Sequence, residues 1–158
     1  MKNRRLAAML VAVLAVFTFA VPMASAQSTP TLSNIRTGAH TGFNRVVLDM
    51  SGLPAEHRVR EVTSVRDCGP GNVVPMPGSN EILEVVMFGA AAHDDNGNPT
   101  YTGPRNFTPA NTTNVRRVAL TCDFEAVLTI AVGYSNTNSW HRVFTLTNPN
   151  RVVIDIGL

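Results

Sequence analysis

Residues 144–156 read Phe-Thr-Leu-Thr-Asn-Pro-Asn-Arg-Val-Val-Ile-Asp-Ile, and we predict that they fold as a strand, a tight turn and a second strand. The central Asn-Pro-Asn supplies the turn, because proline presets φ and asparagine tolerates left-handed backbone geometry. After the turn, side chains alternate between the two faces of a strand, with aliphatic residues on one face and Arg151, Val153 and Asp155 on the other. The stretch therefore predicts a β-hairpin with one fully apolar face.

A near-copy of the second strand lies far upstream. Residues 44–50 read Asn-Arg-Val-Val-Leu-Asp-Met, and five of these seven positions are identical in residues 150–156. We predict that the two copies are antiparallel neighbours with Val47 opposite Val153. That register forms two pairs of opposite charge, Arg45 with Asp155 and Asp49 with Arg151, each stabilising the sheet by roughly 0.2–1 kcal/mol.

Short apolar or alternating runs recur along the whole chain, and no segment keeps a helical period of 3.6 residues. We predict strands at residues 32–37, 43–51, 57–66, 81–89, 115–122, 125–134, 140–146 and 150–156. Strand 81–89 is largely apolar on both faces and is expected at the centre of a sheet. Residues 67–80 and 90–114 are predicted loops. Many short strands at this spacing indicate an all-β antiparallel sandwich or barrel.

The first 26 residues have the pattern of a secretory signal peptide. A basic start with Lys2, Arg4 and Arg5 precedes an apolar run that ends at Ala24-Ser25-Ala26. An uncleaved membrane anchor is the alternative, because the run is near the length of a membrane span. Cleavage after Ala26 leaves 132 of the 158 residues. We expect a flexible tether at residues 27–31 and one exported domain at residues 32–158.

Export also changes the charge of the protein. The chain has 13 basic and 11 acidic residues, but three basic residues lie in the predicted signal, which leaves ten against eleven and a net charge of −1. A balance so near zero creates no strong field toward polyanions. We therefore expect no nucleic-acid partner, and no membrane partner after signal cleavage.

Only two cysteines are present, Cys68 and Cys122. In an oxidising compartment a single disulfide is the simplest prediction, and it would pin the loop at residues 67–80. A metal site or a catalytic thiol pair is the alternative, but no nearby His/Cys spacing favours it.

The densest polar cluster of the chain lies in the predicted loop 90–114 and consists of His93, Asp94 and Asp95. A structureless loop of that length is usually functional or mobile. We consider two interpretations, a site for a polar ligand or Ca²⁺ built from carboxylate oxygens, and a solvated Asn-Gly turn without a ligand. The spacing does not match an EF-hand, and no metal is predicted.

Three aromatic residues are candidates for sugar binding: Tyr101, Tyr134 and Trp140. An aromatic ring can stack on the apolar face of a sugar while nearby amides, here Asn136 and Asn138, bind hydroxyl groups. The alternative for Trp140 is burial in the core with its indole N–H hydrogen-bonded.

Motifs for catalysis are absent from the sequence. The four histidines are scattered, and no nucleophile elbow, HExxH or phosphate-binding loop occurs. Paired carboxylates for glycoside hydrolysis depend on spatial rather than sequence spacing, so a small hydrolase stays open as an alternative. We predict that the protein is not an enzyme and needs no cofactor.

The Arg-aliphatic-Asp copies at residues 45–49 and 151–155, the second after Asn148-Pro149, resemble the AMIN domain. The similarity is closer to the AMIN-like domain of secreted actinobacterial proteins, because residues 92–104 and the lead-in at Gly42-Phe43 also match it. The resemblance covers residues 35–156 and implies a β-sandwich of the bacterial envelope. AMIN domains accompany cell-wall amidases and secretion machinery and target them to peptidoglycan.

From these observations we predict a secreted, non-catalytic, monomeric domain that associates with the cell envelope and binds a wall polymer, with peptidoglycan first among the candidates. The alternative is a protein-interaction module that docks on another envelope protein, for example through an exposed sheet edge.

Overall fold

The computed structural model describes residues 28–158, so the predicted signal peptide and Gln27 lie outside the described residues. Within that range the chain forms β-strands and no helix. The strands are β1 (Leu32–His40), β2 (Phe43–Met50), β3 (Glu56–Val62), β4 (Val65–Arg66), β5 (Val73–Val74), β6 (Glu81–Phe88), β7 (Asn106–Phe107), β8 (Val115–Phe124), β9 (Val127–Tyr134), β10 (His141–Leu146) and β11 (Arg151–Gly157).

Two antiparallel sheets pack face to face, which confirms the predicted all-β sandwich. The four-stranded sheet has the order β1-β2-β11-β10, and the five-stranded sheet has the order β3-β6-β9-β8-β7. Strand β6 lies inside the second sheet, as its two apolar faces predicted. A small two-stranded sheet, β4-β5, accompanies the pair.

The two repeated strands are adjacent at the centre of the four-stranded sheet. Val47 lies opposite Val153, as predicted, and Arg45 lies opposite Asp155. The Arg45 guanidinium donates two hydrogen bonds to Asp155, of 2.6 and 2.8 Å. Asp49 also lies opposite Arg151, but its carboxylate accepts hydrogen bonds from Arg36 instead. The second charge pair of the prediction therefore has a different basic partner, because Arg36 reaches across from the neighbouring strand β1.

The core lies between the inner faces of the two sheets. Alternate residues of β2 and β11 fill it from one side, and alternate residues of β6 and β9 fill it from the other. The fully buried side chains at these positions are Val46, Leu48, Val152, Ile154, Ile156, Leu83, Val85, Met87, Leu128, Ile130 and Val132. Period-two alternation therefore places every second residue of each repeat in the core.

One polar residue of the first repeat copy, Asn44, also faces inward and is buried. Its side-chain Oδ1 accepts backbone N–H groups from Thr113, Asn114 and Val115 at 2.7–3.1 Å. A buried amide oxygen is costly to leave without a hydrogen bond, and here it accepts three. Asn44 thus fixes the end of the long segment 90–114 to the central strand β2.

The outer face of the five-stranded sheet is partly covered by residues 65–76. Val65, Ile82, Ala119 and Ala131 form a second small core there, with Val62, Val74 and Met76 packed against it. Cys68 and Cys122 form the predicted disulfide and hold this segment against β8. A link across 54 residues stabilises the fold by roughly 2–4 kcal/mol, mainly by restricting the unfolded chain.

Several predicted boundaries were wrong. Strand β1 continues past its predicted end at residue 37 to His40, because residues 38–40 pair with residues 43–45 and only Thr41-Gly42 form the turn. The predicted strand 57–66 is two strands, since the chain breaks after Val62 and β4 pairs with β5. Both predicted loops contain a short strand, β5 in residues 67–80 and β7 in residues 90–114.

The turn between β8 and β9 was also predicted two residues too early. It consists of Glu125 and Ala126, with φ of 48° and 57°. Asn and Gly are the usual residues at such positions, so this turn carries no sequence signal. Asp123 stays in β8, where its carboxylate accepts the Ala92 N–H at 2.8 Å.

At the start of the described range, the hydrogen-bonded structure begins within the segment that we expected to be a flexible tether. Thr31 forms a parallel bridge with Ala91, and the Ala91 N–H donates to the Pro30 carbonyl at 3.0 Å. Among residues 28–158, we find no helix of the length and apolar character needed to span a membrane.

Candidate functional site

The face of the four-stranded sheet that points away from the core is called the outer face below. Register places its residues in four rungs that run across β1, β2, β11 and β10 in that order. The rungs are His40–Phe43–Gly157–Trp140, Gly38–Arg45–Asp155–Arg142, Arg36–Val47–Val153–Phe144 and Asn34–Asp49–Arg151–Leu146. Aromatic and charged side chains thus occupy most of this face.

The first rung carries an aromatic strip, defined as His40, Phe43 and Trp140. The His40 and Phe43 rings are stacked with centroids 4.9 Å apart and planes 8° apart. The Phe43 and Trp140 centroids are 6.0 Å apart. The strip therefore spans the sheet from one edge strand to the other edge.

Trp140 lies over a glycine. A Cβ added at Gly157 would come within 2.6 Å of Nε1, 2.7 Å of Cδ1 and 3.0 Å of Cε2 of the indole. Because three ring atoms are at similar distances from that point, one face of the ring covers Gly157. The Trp140 side chain is nevertheless 51% exposed, so the opposite face is open to a ligand. The burial alternative for Trp140 is therefore not what the structure shows.

The second rung contains a buried carboxylate between two arginines. Asp155 is fully buried and accepts hydrogen bonds from Arg45 and from Nη2 of Arg142, the latter at 2.8 Å. Burial alone would raise the pKa of the Asp155 carboxyl, but these arginine hydrogen bonds outweigh it and hold the pKa below its ordinary value. Asp155 thus fixes both guanidinium groups in place.

The same two arginines contact the aromatic rings around them. The Arg45 guanidinium carbon lies 5.1 Å from the Phe43 centroid and 5.6 Å from the Phe144 centroid. That of Arg142 lies 4.7 Å from the Phe144 centroid. Cation–π contacts of this kind favour a rigid arrangement. Ring and guanidinium positions on the outer face are therefore coupled through Asp155.

The outer face as a whole is cationic. Arg36 donates two hydrogen bonds to Asp49, of 2.7 and 2.8 Å, and mainly this contact lowers the pKa of the Asp49 carboxyl. The four rungs contain four arginines and two aspartates, which gives this face a formal excess of two positive charges. Such a surface favours a ligand with apolar rings and negative groups.

The polar cluster His93, Asp94 and Asp95 lies elsewhere and lines a pocket of about 300 Å³ together with Thr29 and Ala126. The Asp94 carboxylate accepts hydrogen bonds from the backbone N–H and the side-chain amide of Asn98 and from the backbone N–H of Asn96, at 2.8–3.0 Å. Asn98 and Asn96 thereby lower the pKa of the Asp94 carboxyl. This geometry matches the turn interpretation, because a carboxylate that closes a turn has fewer lone pairs for a ligand.

His93 pairs with Asp123 near the end of strand β8 rather than with Asp94. Its Nδ1 lies 2.9 Å from Oδ1 of Asp123. Asp95 is exposed and takes part in none of the hydrogen bonds described for Asp94 and His93. Among residues 28–158, no three His, Cys, Asp or Glu side chains are grouped to hold a metal ion.

Tyr101 and Tyr134 are part of the core, so their rings are not accessible platforms. Tyr134 is 1% exposed, and burial, with nearby Glu61 and Glu81, raises its pKa to about 12. Tyr101 is 8% exposed and donates its hydroxyl to the Pro104 carbonyl at 3.0 Å. Of the three aromatic candidates, only Trp140 presents a ring to solvent.

The remaining outer-face residues were not singled out from the sequence: Asn34, Arg36, Gly38, His40, Phe43, Arg142, Phe144, Leu146 and Gly157. A signal was available for part of this set. Phe43, Arg45, Val47 and Asp49 share one face by alternation, and the inner face was already assigned to the core. The contributions of β1 and β10 depend on sheet order, which alternation does not give.

The comparison with known families agrees with this structure. The model of the AMIN-like domain matches residues 30–157. The chain therefore belongs to the AMIN-like domain family. No curated protein and no solved structure matches the chain. AMIN-like domains are generally non-catalytic binding domains and occur in cell-envelope proteins, so membership indicates a cell-wall-related module.

Proposed function

We propose that this domain is secreted and binds a glycan of the cell wall, peptidoglycan first, through the aromatic strip of the outer face. The exposed indole of Trp140, held flat over Gly157, is the observation that carries the proposal. A flat, fixed ring loses little conformational entropy when a sugar stacks on it. The coupled arginines beside it supply hydrogen-bond donors for hydroxyl and carbonyl oxygens.

Family membership supports the same proposal from another direction. AMIN-like domains belong to proteins of the envelope, where wall polymers present many copies of one sugar unit. Weak binding by one shallow face is then sufficient, because repeated units raise the effective ligand concentration. A secreted domain without its own catalytic site would be retained at the wall in this way.

The test is cosedimentation with purified cell-wall sacculi, comparing the wild type with Trp140→Ala. Truncating an exposed aromatic stacking contact is expected to weaken binding by about tenfold or more. Phe124→Ala is the matched control, because Phe124 is 59% exposed but lies at the tip of the β8-β9 hairpin in the other sheet. Equal retention of all three proteins, each shown to be folded, would refute the role of the strip.

A protein partner is the second candidate, and strand β1 favours it. β1 is nine residues long and forms one edge of the four-stranded sheet. An unpaired edge of that length can accept a strand from another chain. Recovery of a stoichiometric envelope protein, together with no retention on sacculi, would select this function instead.

A further inference from the structure

A shallow pocket of about 250 Å³ opens on the outer face beside the aromatic strip. It exists because Gly38, in the second rung, has no side chain to cover the neighbouring strand. It is lined by Gly38, Thr37 and Val47 and by four basic residues, Arg36, His40, Arg45 and Arg151. A Cβ placed at Gly38 would meet no atom within 4 Å, so the space above it is open.

Most of the residues that line the pocket are basic, and none of them is a carboxylate. Arg36 donates Nε and Nη2 to the Asp49 carboxylate, and Arg45 donates the same two atoms to Asp155. Within residues 28–158, Nη1 of these two arginines has no hydrogen-bond partner. Arg151 donates only Nε, to the Pro149 carbonyl at 3.1 Å. Three guanidinium groups therefore keep unused donors around one small volume.

We infer that this pocket binds an oxyanion, a carboxylate or a phosphate, that belongs to the same wall polymer as the sugar on the aromatic strip; the inference rests on the function proposed above. Arginine binds planar and tetrahedral oxyanions through paired N–H donors. The two aspartates hold Arg36 and Arg45 in position, so binding an anion requires little further ordering.

The position of the pocket links it to the strip. His40 belongs to both, since it stacks on Phe43 and also lines the pocket wall. One polymer can therefore place a sugar over the strip and a neighbouring negative group over Gly38. A neutral glycan satisfies only the first of these contacts, so the chain should prefer an acidic wall polymer to a neutral one.

Two variants test the pocket without touching the strip. Gly38→Leu fills it, and no positive φ at Gly38 opposes a side chain. Ala39→Leu is its control, because the next residue of β1 points to the other side of the sheet. Arg151→Gln removes one cation that makes no hydrogen bond to a carboxylate. Arg116→Gln is the control for it, since Arg116 also donates Nε to a single neutral oxygen, Oγ of Ser135.

Binding is measured by cosedimentation with three preparations of sacculi: untreated, stripped of phosphodiester-linked polymers, and with carboxylates converted to neutral amides. We expect Gly38→Leu and Arg151→Gln to weaken binding to untreated sacculi by about fivefold to tenfold, as for loss of a charge-assisted contact. The controls should bind like the wild type. Loss of wild-type binding after amidation identifies a carboxylate, and loss after stripping identifies a phosphate.

The possible outcomes separate this inference from the proposed function. If Trp140→Ala loses binding while both pocket variants and both treatments leave it unchanged, the strip binds glycan and the oxyanion site is refuted. If the wild type binds none of the three preparations, both the proposed function and this inference are refuted.

Discussion

At the residue scale, the same aspartate of the two repeats has two different environments. Asp155 is fully buried between Arg45 and Arg142, whereas the Asp49–Arg36 pair is partly exposed, with 25% and 52% of the two side chains accessible. A buried carboxylate depends on its partners, while an exposed ion pair contributes little. The two positions should therefore differ sharply in their effect on stability.

Asp155→Asn is expected to lower the free energy of unfolding by about 2–3 kcal/mol, less than the loss for a fully buried pair because both arginines stay partly hydrated. Asp49→Asn, the matched control from the other repeat, should cost below about 1 kcal/mol. Urea denaturation at neutral pH measures both values. Equal losses at the two positions would contradict the assigned burial.

The pH dependence gives a second measurement on the same variants. Burial opposes ionisation of Asp155, but the hydrogen bonds from Arg45 and Arg142 hold its folded pKa below the ordinary value of an aspartate. Its contribution to stability is therefore complete above the unfolded pKa and is lost as the pH falls through the lower folded pKa. Stability of Asp155→Asn should decline less steeply over that acidic range than stability of the wild type.

Residue patterns predicted some outer-face contacts and not others. Alternation within the repeats placed Arg45 opposite Asp155, and the structure confirms that pair. The preference of Asp49 for Arg36 could not be predicted, because it depends on which strand borders β2. Burial of Tyr134 was missed because a lone tyrosine at a strand end has the same local sequence whether its ring faces the core or solvent.

At the element scale, strands were predictable where period-two alternation is continuous, and turns were predictable where Pro, Asn or Gly marks them. The hairpin between β10 and β11 illustrates the second case, since Asn148 has φ of 56° in the turn predicted for it. The hairpin between β8 and β9 illustrates the failure. Glu125 and Ala126 adopt left-handed geometry without a residue type that favours it.

Ala126→Gly is accordingly expected to raise the free energy of unfolding by about 0.5–1 kcal/mol, because glycine relieves the left-handed strain and loses only part of that gain to chain entropy. Ala39→Gly is the control, since Ala39 lies in β1 with ordinary φ and should lose stability instead. Thermal denaturation of the two variants gives the sign directly. A loss of stability in Ala126→Gly would show that this turn is not strained.

At the scale of the whole molecule, the two sheets differ in what covers their outer faces. Residues 65–76, held by the disulfide, pack against the five-stranded sheet and form a second small core. Within residues 28–158, no segment covers the outer face of the four-stranded sheet in this way, and that face carries the aromatic strip, the four arginines and the Gly38 pocket. Ligand binding is therefore expected on that face.

Chain-wide properties were partly predictable. Composition and strand spacing indicated an all-β fold, and the repeat indicated which strands are central. The location of a site was not predictable, because it depends on which sheet face is left open. The long predicted loop at residues 90–114 is instead ordered, because Asn44 binds its end at Asn114 and Asp94 closes a turn with Asn98 inside it.

The most direct test of the binding face is an NMR titration of the 15N-labelled domain with soluble wall fragments. Amide shifts and line broadening are expected at Phe43, Gly157 and the indole N–H of Trp140, with smaller changes around Gly38. The five-stranded sheet should stay unchanged. Perturbations confined to residues 93–98 or 65–76, with none at Trp140 or Gly157, would contradict the account.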